Sequence, residues 1–246
     1  MKDRARFADG SVFFVVVAAV ASCLLASPLQ VSAQNCSESQ GNNAVYNATN
    51  CNNGNPVVVG SSSFIDASMF AQSGSNFCQV LNGILSGTST PYPATGAVID
   101  ARGLANSTPP TSMTCTTTNP SPWAGITNPP PSTILLPATG GTSPNPIIIP
   151  STWALPPNTR LVGEGDGIPS TTSPGTTIRA ASGFASGTAM ISFGLSSLCT
   201  AGCTGISAEK LTLDGHGQSI NGIGNGFSQS LSYVDHVSLY RILLYT

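Results

Sequence analysis

From Gly96 onward, no apolar run in the chain is longer than a few residues. Ala97-Val98-Ile99-Asp100, Thr133-Ile134-Leu135-Leu136, Pro146-Ile147-Ile148-Ile149 and Arg160-Leu161-Val162 are each bounded by Gly, Pro, Asn or Ser. Thr177-Ile178-Arg179, Ala189 to Phe193, Lys210-Leu211-Thr212-Leu213 and Val237-Ser238-Leu239 continue the series. Short aliphatic runs between such breakers read as strands, and these are too short for the faces of a wide sandwich. Leu211-Thr212-Leu213 and Val237-Ser238-Leu239 share an apolar-hydroxyl-apolar pattern 26 residues apart. A period of about 20–50 residues marks a repeat architecture. A coil of three short strands and three corners needs a length of this order. Stacked coils would set like strands about 4.8 Å apart and their Ile, Leu and Val in a continuous inward ladder.

Charge supports the same class. Only 8 Lys and Arg and 10 Asp and Glu occur in 246 residues, 7% of the chain, against about 25% in ordinary globular proteins. A helical bundle lacks its charged outer faces here, whereas Thr, Asn, Gly and Ser suit pleats and corners. Disorder is excluded by the aliphatic runs, which disordered chains lack. Nucleic acid is excluded as a partner, because phosphate binding needs clustered Lys and Arg. After residue 33 only Arg102, Arg160, Arg179, Lys210 and Arg241 are basic, and they are scattered.

The N-terminus reads as an export signal over residues 1–33. Lys2, Arg4 and Arg6 precede an uncharged, mostly apolar stretch from Ser11 to Ala26, and Val31-Ser32-Ala33 offers a small-x-small cleavage site. The apolar stretch is short for a membrane span, so no stable transmembrane span is expected after cleavage. Val20-Ala21-Ser22-Cys23 also has the form of a lipobox, with Cys23 as the lipidated residue. The expected location is outside the cytoplasm: secreted, on the cell surface or periplasmic. Six cysteines follow the signal, and an even count in an exported chain reads as disulfides. Proximity suggests Cys36–Cys51, Cys78–Cys115 and Cys199–Cys203. Cys199-x-x-x-Cys203 lacks the second ligand pair of a zinc site. Asn35, Asn47 and Asn106 lie in glycosylation sequons, which matter only in a glycosylating host.

Residues 34–62 form an Asn/Gly/Ser-rich leader. Residues 63–95 hold one helix: Phe77, Val80, Leu81, Ile84 and Leu85 recur at helical period, with Ser75 as the expected cap and Gly87 as the stop. Its apolar face is expected to cover the open end of a stack. Coils occupy residues 96–246, with a Pro-rich excursion at 105–132 tied back by Cys115. The last run, Tyr240 to Thr246, ends without a polar cap. Solenoids need capping units, so a truncated copy of a longer protein is expected.

Phe64-Ile65-Asp66-Ala67-Ser68, the helix with Cys78, and Gly96-Ala97-Val98-Ile99-Asp100-Ala101-Arg102-Gly103 resemble the opening of bacterial pectate-lyase-superfamily proteins. Thr159 to Gly165, Thr177-Ile178-Arg179 and Leu213-Asp214-Gly215-His216-Gly217 follow in the same order. The resemblance covers roughly residues 64–246 and points to the polygalacturonase-related, tailspike-like branch. It implies an all-β, right-handed parallel β-helix with an N-terminal capping helix, incomplete at its C-terminal end. It also implies a groove for polysaccharide, uronate-containing in some relatives, with acidic residues or Ca²⁺ doing the chemistry.

Hydrolysis would need two carboxylates, and lyase chemistry a base, often with Ca²⁺. The expected catalytic residues are Asp214, Asp235 and His236, with His216 and Arg241 as further candidates. Gly215-His216-Gly217 matches a polygalacturonase triplet, but the chain has no Asn-Thr-Asp, Asp-Asp or Arg-Ile-Lys to accompany it. Asp214-Gly215 is also a turn signal. Asp235-His236 lies before a strand, open to either a groove or a corner role. Gly163-Glu164-Gly165-Asp166-Gly167 reads as a tight corner rather than a phosphate or calcium loop. Trp123, Trp153 and Tyr92 each stand alone in sequence and suit either sugar stacking or packing. A polysaccharide lyase or hydrolase and a non-catalytic, adhesin-like glycan binder are both compatible with these residues.

Overall fold

The computed structural model describes residues 51–52, 55–56, 63–139, 146–166, 175–194, 196–200 and 202–243. The expected export signal, most of the leader and the expected partner of Cys51 lie outside them. In chain order the strands are β1 (Cys51–Asn52), β2 (Asn55–Pro56), β3 (Ser63–Asp66), β4 (Ala97–Asp100), β5 (Ser132–Leu135), β6 (Ile147–Ile149) and β7 (Trp153–Leu155). There follow β8 (Thr159–Val162), β9 (Thr177–Ala180), β10 (Ala189–Phe193), β11 (Cys203–Thr204), β12 (Ser207–Ser219), β13 (Asn221–Asn225), β14 (Gln229–Ser230) and β15 (Tyr233–Leu243). The helix α1 spans Phe77–Leu85, between β3 and β4.

Apart from the antiparallel β1–β2 pair, every strand pairing is parallel. The largest sheet curls, because the long β12 pairs with β8 at its start and with β9 further on. The pairings fall into three columns. The first stacks Ile65, Ile99, Ile134, Leu161, Ala208 and Val234 in register. The second stacks Ile147, Ile178, Leu213 and Leu239. The third stacks Trp153, Ile191 and Ile223. The chain visits them in order: β5, β6, β7; then β8, β9, β10; then β12 for the first two and β13 for the third. Short β-branched runs suit this arrangement, since each side chain packs on its in-register neighbours above and below. All but the final members of the first two ladders are fully buried.

The helical stripe is as expected: Phe77, Val80, Leu81, Ile84 and Leu85 are all buried. The cap is Asn76 rather than Ser75. The Asn76 side chain accepts from the Gln79 amide at 2.9 Å, while the Ser75 hydroxyl donates back to the Gln72 carbonyl. Asn outranks most residues at this position for the same reason as Ser, and the two adjacent candidates cannot be told apart by pattern. Gly87 has φ of 73° and donates to the Ile84 carbonyl, a left-handed stop that glycine adopts freely. Phe77 stacks on Trp153, with ring centroids 6.4 Å apart, so α1 packs against the first strand of the third column.

The Pro-rich segment is more than an excursion. Met113, Cys115 and Trp123 are buried, and Thr114 bridges to Ile148 of β6. Asn82 of α1 donates to the carbonyls of Pro122 and Ala124, and the Trp153 indole donates to that of Pro120. Trp123 meets Trp153 edge-on at 6.2 Å, so neither tryptophan stands alone. Prolines cannot donate to a ladder, and this segment instead supplies carbonyls to its neighbours. Disulfides join Cys78 to Cys115 and Cys199 to Cys203. The first clasps α1 to the Pro-rich segment and closes a loop of 37 residues. Replacing both Cys78 and Cys115 with serine should lower stability by about 2–4 kcal/mol, read from the denaturant midpoint. An unchanged midpoint would remove the clasp from the account.

Candidate functional site

Strand β12 carries Ala208, Leu211 and Leu213 toward the core, so the alternation of a strand turns Glu209 and Asp214 the other way. Lys210 lies between the two segments with φ of 53° and resets the alternation at a corner. Asp214 then meets an arginine from the rung on either side, and Glu209 meets one.

Asp214 is fully buried. Arg179 of β9 donates to it at 2.7 Å, Arg241 of β15 donates twice at 2.9 and 2.5 Å, and the His216 amide donates at 3.0 Å. Burial raises its pKa, but the hydrogen bonds from Arg241, the His216 amide and Arg179 outweigh that and hold it below its ordinary value of 3.8. It is therefore an ionised carboxylate enclosed by its donors. His216 is exposed with φ of 55° and is followed by Gly217 at 74°, so Gly215-His216-Gly217 forms a corner.

Glu209, which the sequence reading did not single out, forms the second node. Arg160 of β8 donates to both of its oxygens at 3.0–3.1 Å, Ser207 donates at 2.6 Å and the Tyr233 hydroxyl at 2.9 Å. Burial raises its pKa, and the bonds from Ser207, Tyr233 and Arg160 bring it below 4.5 overall. Asp235 is the register partner of Glu209 on β15, one strand spacing away. It is half-exposed and bonded to the ring Nδ1 of exposed His236 at 2.6 Å. His236 has φ of 49° and continues the corner that Lys210 makes one rung below. The structure thus places Asp235 and His236 beside Glu209, while Asp214 sits beside Tyr240, further along β12.

A cleft of about 320 Å³ lies over the rungs of β4, β5 and β8, lined in part by Gly96, Pro131, Thr133, Asn158, Arg160 and Gly205, and of the residues around the acidic pair Arg160 is the one that reaches it. Arg160 both faces the cleft and holds Glu209. The backbone is left-handed at Gly96, Asn158 and Gly205. A Cβ at Gly205 would approach the Asn158 side-chain oxygen to 2.8 Å, and one at Gly96 would approach the Pro131 carbonyl to 2.7 Å. Glycine there lets successive corners stack closely, which lays main chain along the cleft wall. Tyr92 donates to the Pro131 carbonyl at 3.2 Å, and burial pushes its pKa up. Trp123 and Trp153 are core residues and serve packing. The Gly163–Asp166 corner is held by Gly163 and Gly165 donating to the carbonyls of Glu209 and Lys210.

Calcium, implied by the resemblance, finds no cluster of three His, Cys, Asp or Glu among the described residues. The Glu209 oxygens are already committed to Arg160, Ser207 and Tyr233, so this pair does not fit a calcium ion.

Acid should destabilise the fold through these two nodes. Both folded pKa values lie below the ordinary ones, so the stabilisation is complete above about pH 4.5 and is lost as pH falls through 4.5 and 3.8 toward the folded values. Asp214→Ala should cost about 2–3 kcal/mol by stripping Arg179 and Arg241 of their acceptor. Asp214→Asn should flatten the acid limb of the stability curve. A pH profile identical to that of the unaltered protein would contradict the assignment.

No family model, curated protein or solved structure matches the chain.

Proposed function

We propose that the chain is an exported, right-handed parallel β-helix protein of the pectate-lyase type that acts on or binds polysaccharide. The visits to three parallel columns in constant order support the β-helix reading. The observation that carries the functional reading is the Glu209–Asp235 register pair, whose Glu209 is held by the cleft-lining Arg160. Glu209 stays ionised and held, whereas Asp235, with His236 on it, is open to a ligand. In elimination at a uronate, Asp235 would take the proton on the carbon next to the sugar carboxylate. The electron pair left behind would form a C=C bond as the glycosidic C–O bond breaks, and the departing oxygen would be protonated by water. Hydrolysis would need a second carboxyl group as acid, a role that Glu209, held ionised by Arg160, Ser207 and Tyr233, does not fill.

A non-catalytic glycan binder is the second reading. It is favoured by the enclosure of Asp214 and Glu209, which leaves one open carboxylate. Export rests on Lys2 to Ala33, and the mature protein is expected to begin at Gln34. Among the described residues, no helix is long and apolar enough to cross a membrane.

Incubation with plant and bacterial polysaccharides, with and without Ca²⁺, tests the reading. New reducing ends with unsaturated-uronate absorbance indicate a lyase, and reducing ends alone a hydrolase. Either activity should fall at least about 100-fold in Asp235→Asn. Retention on immobilised glycan without cleavage, lost in Arg160→Ala, supports the binder. Neither cleavage nor retention from folded protein contradicts both readings.

A further inference from the structure

Arg160 is the one charged side chain that lines the cleft over β4, β5 and β8. Its Nε and Nη2 both donate to Glu209, so its charge is already balanced. The other arginines among the described residues are balanced too, Arg102 by Asp100, and Arg179 and Arg241 by Asp214. Lys210 does not line the cleft. Beyond Glu209, Asp235 adds a further carboxylate on the next rung. An anionic ligand in the cleft would meet no unbalanced cation there and would lie near two carboxylates, and like charges repel.

The rest of the lining is neutral and of two kinds. Thr133 and Asn158 present a hydroxyl and a carboxamide, and neither side chain has a hydrogen-bond partner among the described residues. Val98 and Pro131 supply apolar surface. Val98, Thr133 and Arg160 are register partners on three successive rungs, so they stand in a row with about 4.8 Å between neighbours. A sugar ring is divided in the same way, with C–H faces that pack on apolar groups and a rim of hydroxyls that both donate and accept.

We infer that the cleft is a subsite for an uncharged sugar unit, whose hydroxyls bond to Thr133, to Asn158 and to the Arg160 Nη1, the nitrogen that Glu209 does not take. The subsite presupposes that the chain binds polysaccharide, as proposed above, and sets the class of sugar that enters the cleft. A volume of about 320 Å³ is at the small end for ligand pockets and suits one or two units rather than a long segment. Asp235 lies two rungs beyond Arg160, about 10 Å along the stack. The unit at Asp235 is therefore a different one from the unit in the cleft, and its own charge is set separately.

Calorimetric titration of the full chain with neutral hexasaccharides of glucose, xylose, mannose and galactose, and with hexagalacturonate, tests the subsite. At least one neutral hexasaccharide should bind at least about tenfold more tightly than hexagalacturonate, with an affinity that is the same at low and high salt. Thr133→Val keeps the shape and removes the hydroxyl, and should weaken that binding about fivefold at an unchanged denaturant midpoint. Thr133→Lys places a cation in the middle of the row and should raise the affinity for hexagalacturonate; the Thr133→Val comparison decides by itself if this variant does not fold. Tighter binding of hexagalacturonate by the unaltered protein, or neutral binding that Thr133→Val leaves unchanged, would overturn the subsite and leave polysaccharide binding standing. Failure of folded protein to bind any neutral hexasaccharide overturns it as well, and only silence toward the whole polysaccharide panel removes the broader reading with it.

Discussion

In-register stacking of one rung on the next governs the rest of the structure. A strand of three or four residues has no stability alone, and here each lends its amides and carbonyls to neighbours above and below. Ile65, Ile99, Ile134 and Leu161 then form a dry ladder, each side chain contributing about 1.5–3 kcal/mol by leaving water. The low charge of the chain follows from the same constraint. Most positions face a core, a neighbouring rung or a tight corner, and few face open solvent with room for a long charged side chain. Where the stack begins, α1 and the Pro-rich segment pack on it through Phe77, Trp123 and Trp153.

The register that stacks aliphatics inside also decides which polar groups meet outside. Arg179 lies next to Asp214 because Ile178 lies next to Leu213. Glu209 lies next to Asp235 because Ala208 lies next to Val234. The candidate site is thus a consequence of core packing read on the opposite face of the same strands. A slip of one residue would turn the acids inward. Asp214, held by two arginines, and Glu209, held by Arg160, Ser207 and Tyr233, tie rungs together, while Asp235 remains open.

The strands with strong aliphatic runs were legible in the sequence, and so were α1 and the disulfides Cys78–Cys115 and Cys199–Cys203. β7 was not, since Trp153-Ala154-Leu155 is three residues between Pro150 and Pro156. β13 was hidden for another reason: Asn221-Gly222-Ile223-Gly224-Asn225 carries one aliphatic residue, and its pairing with β10 is a matter of backbone. The Arg160–Glu209 and Arg179–Asp214 contacts span 49 and 35 residues. Rungs of unequal length, with loops between them, conceal such partners. Glu209 itself could have been found, because the 26-residue period that aligns Leu211 with Val237 also aligns Glu209 with Asp235.

Register is the claim on which core and site both rest, and a pair of engineered cysteines tests it most directly. Val98 of β4 and Thr133 of β5 are register partners with side chains outside the core. Val98→Cys combined with Thr133→Cys should yield, on oxidation and peptide mapping, a disulfide between those two positions. Val98→Cys combined with Ser132→Cys should not, because Ser132 faces the other side of the sheet. Equal or preferential linkage in the second variant would contradict the parallel, in-register stack.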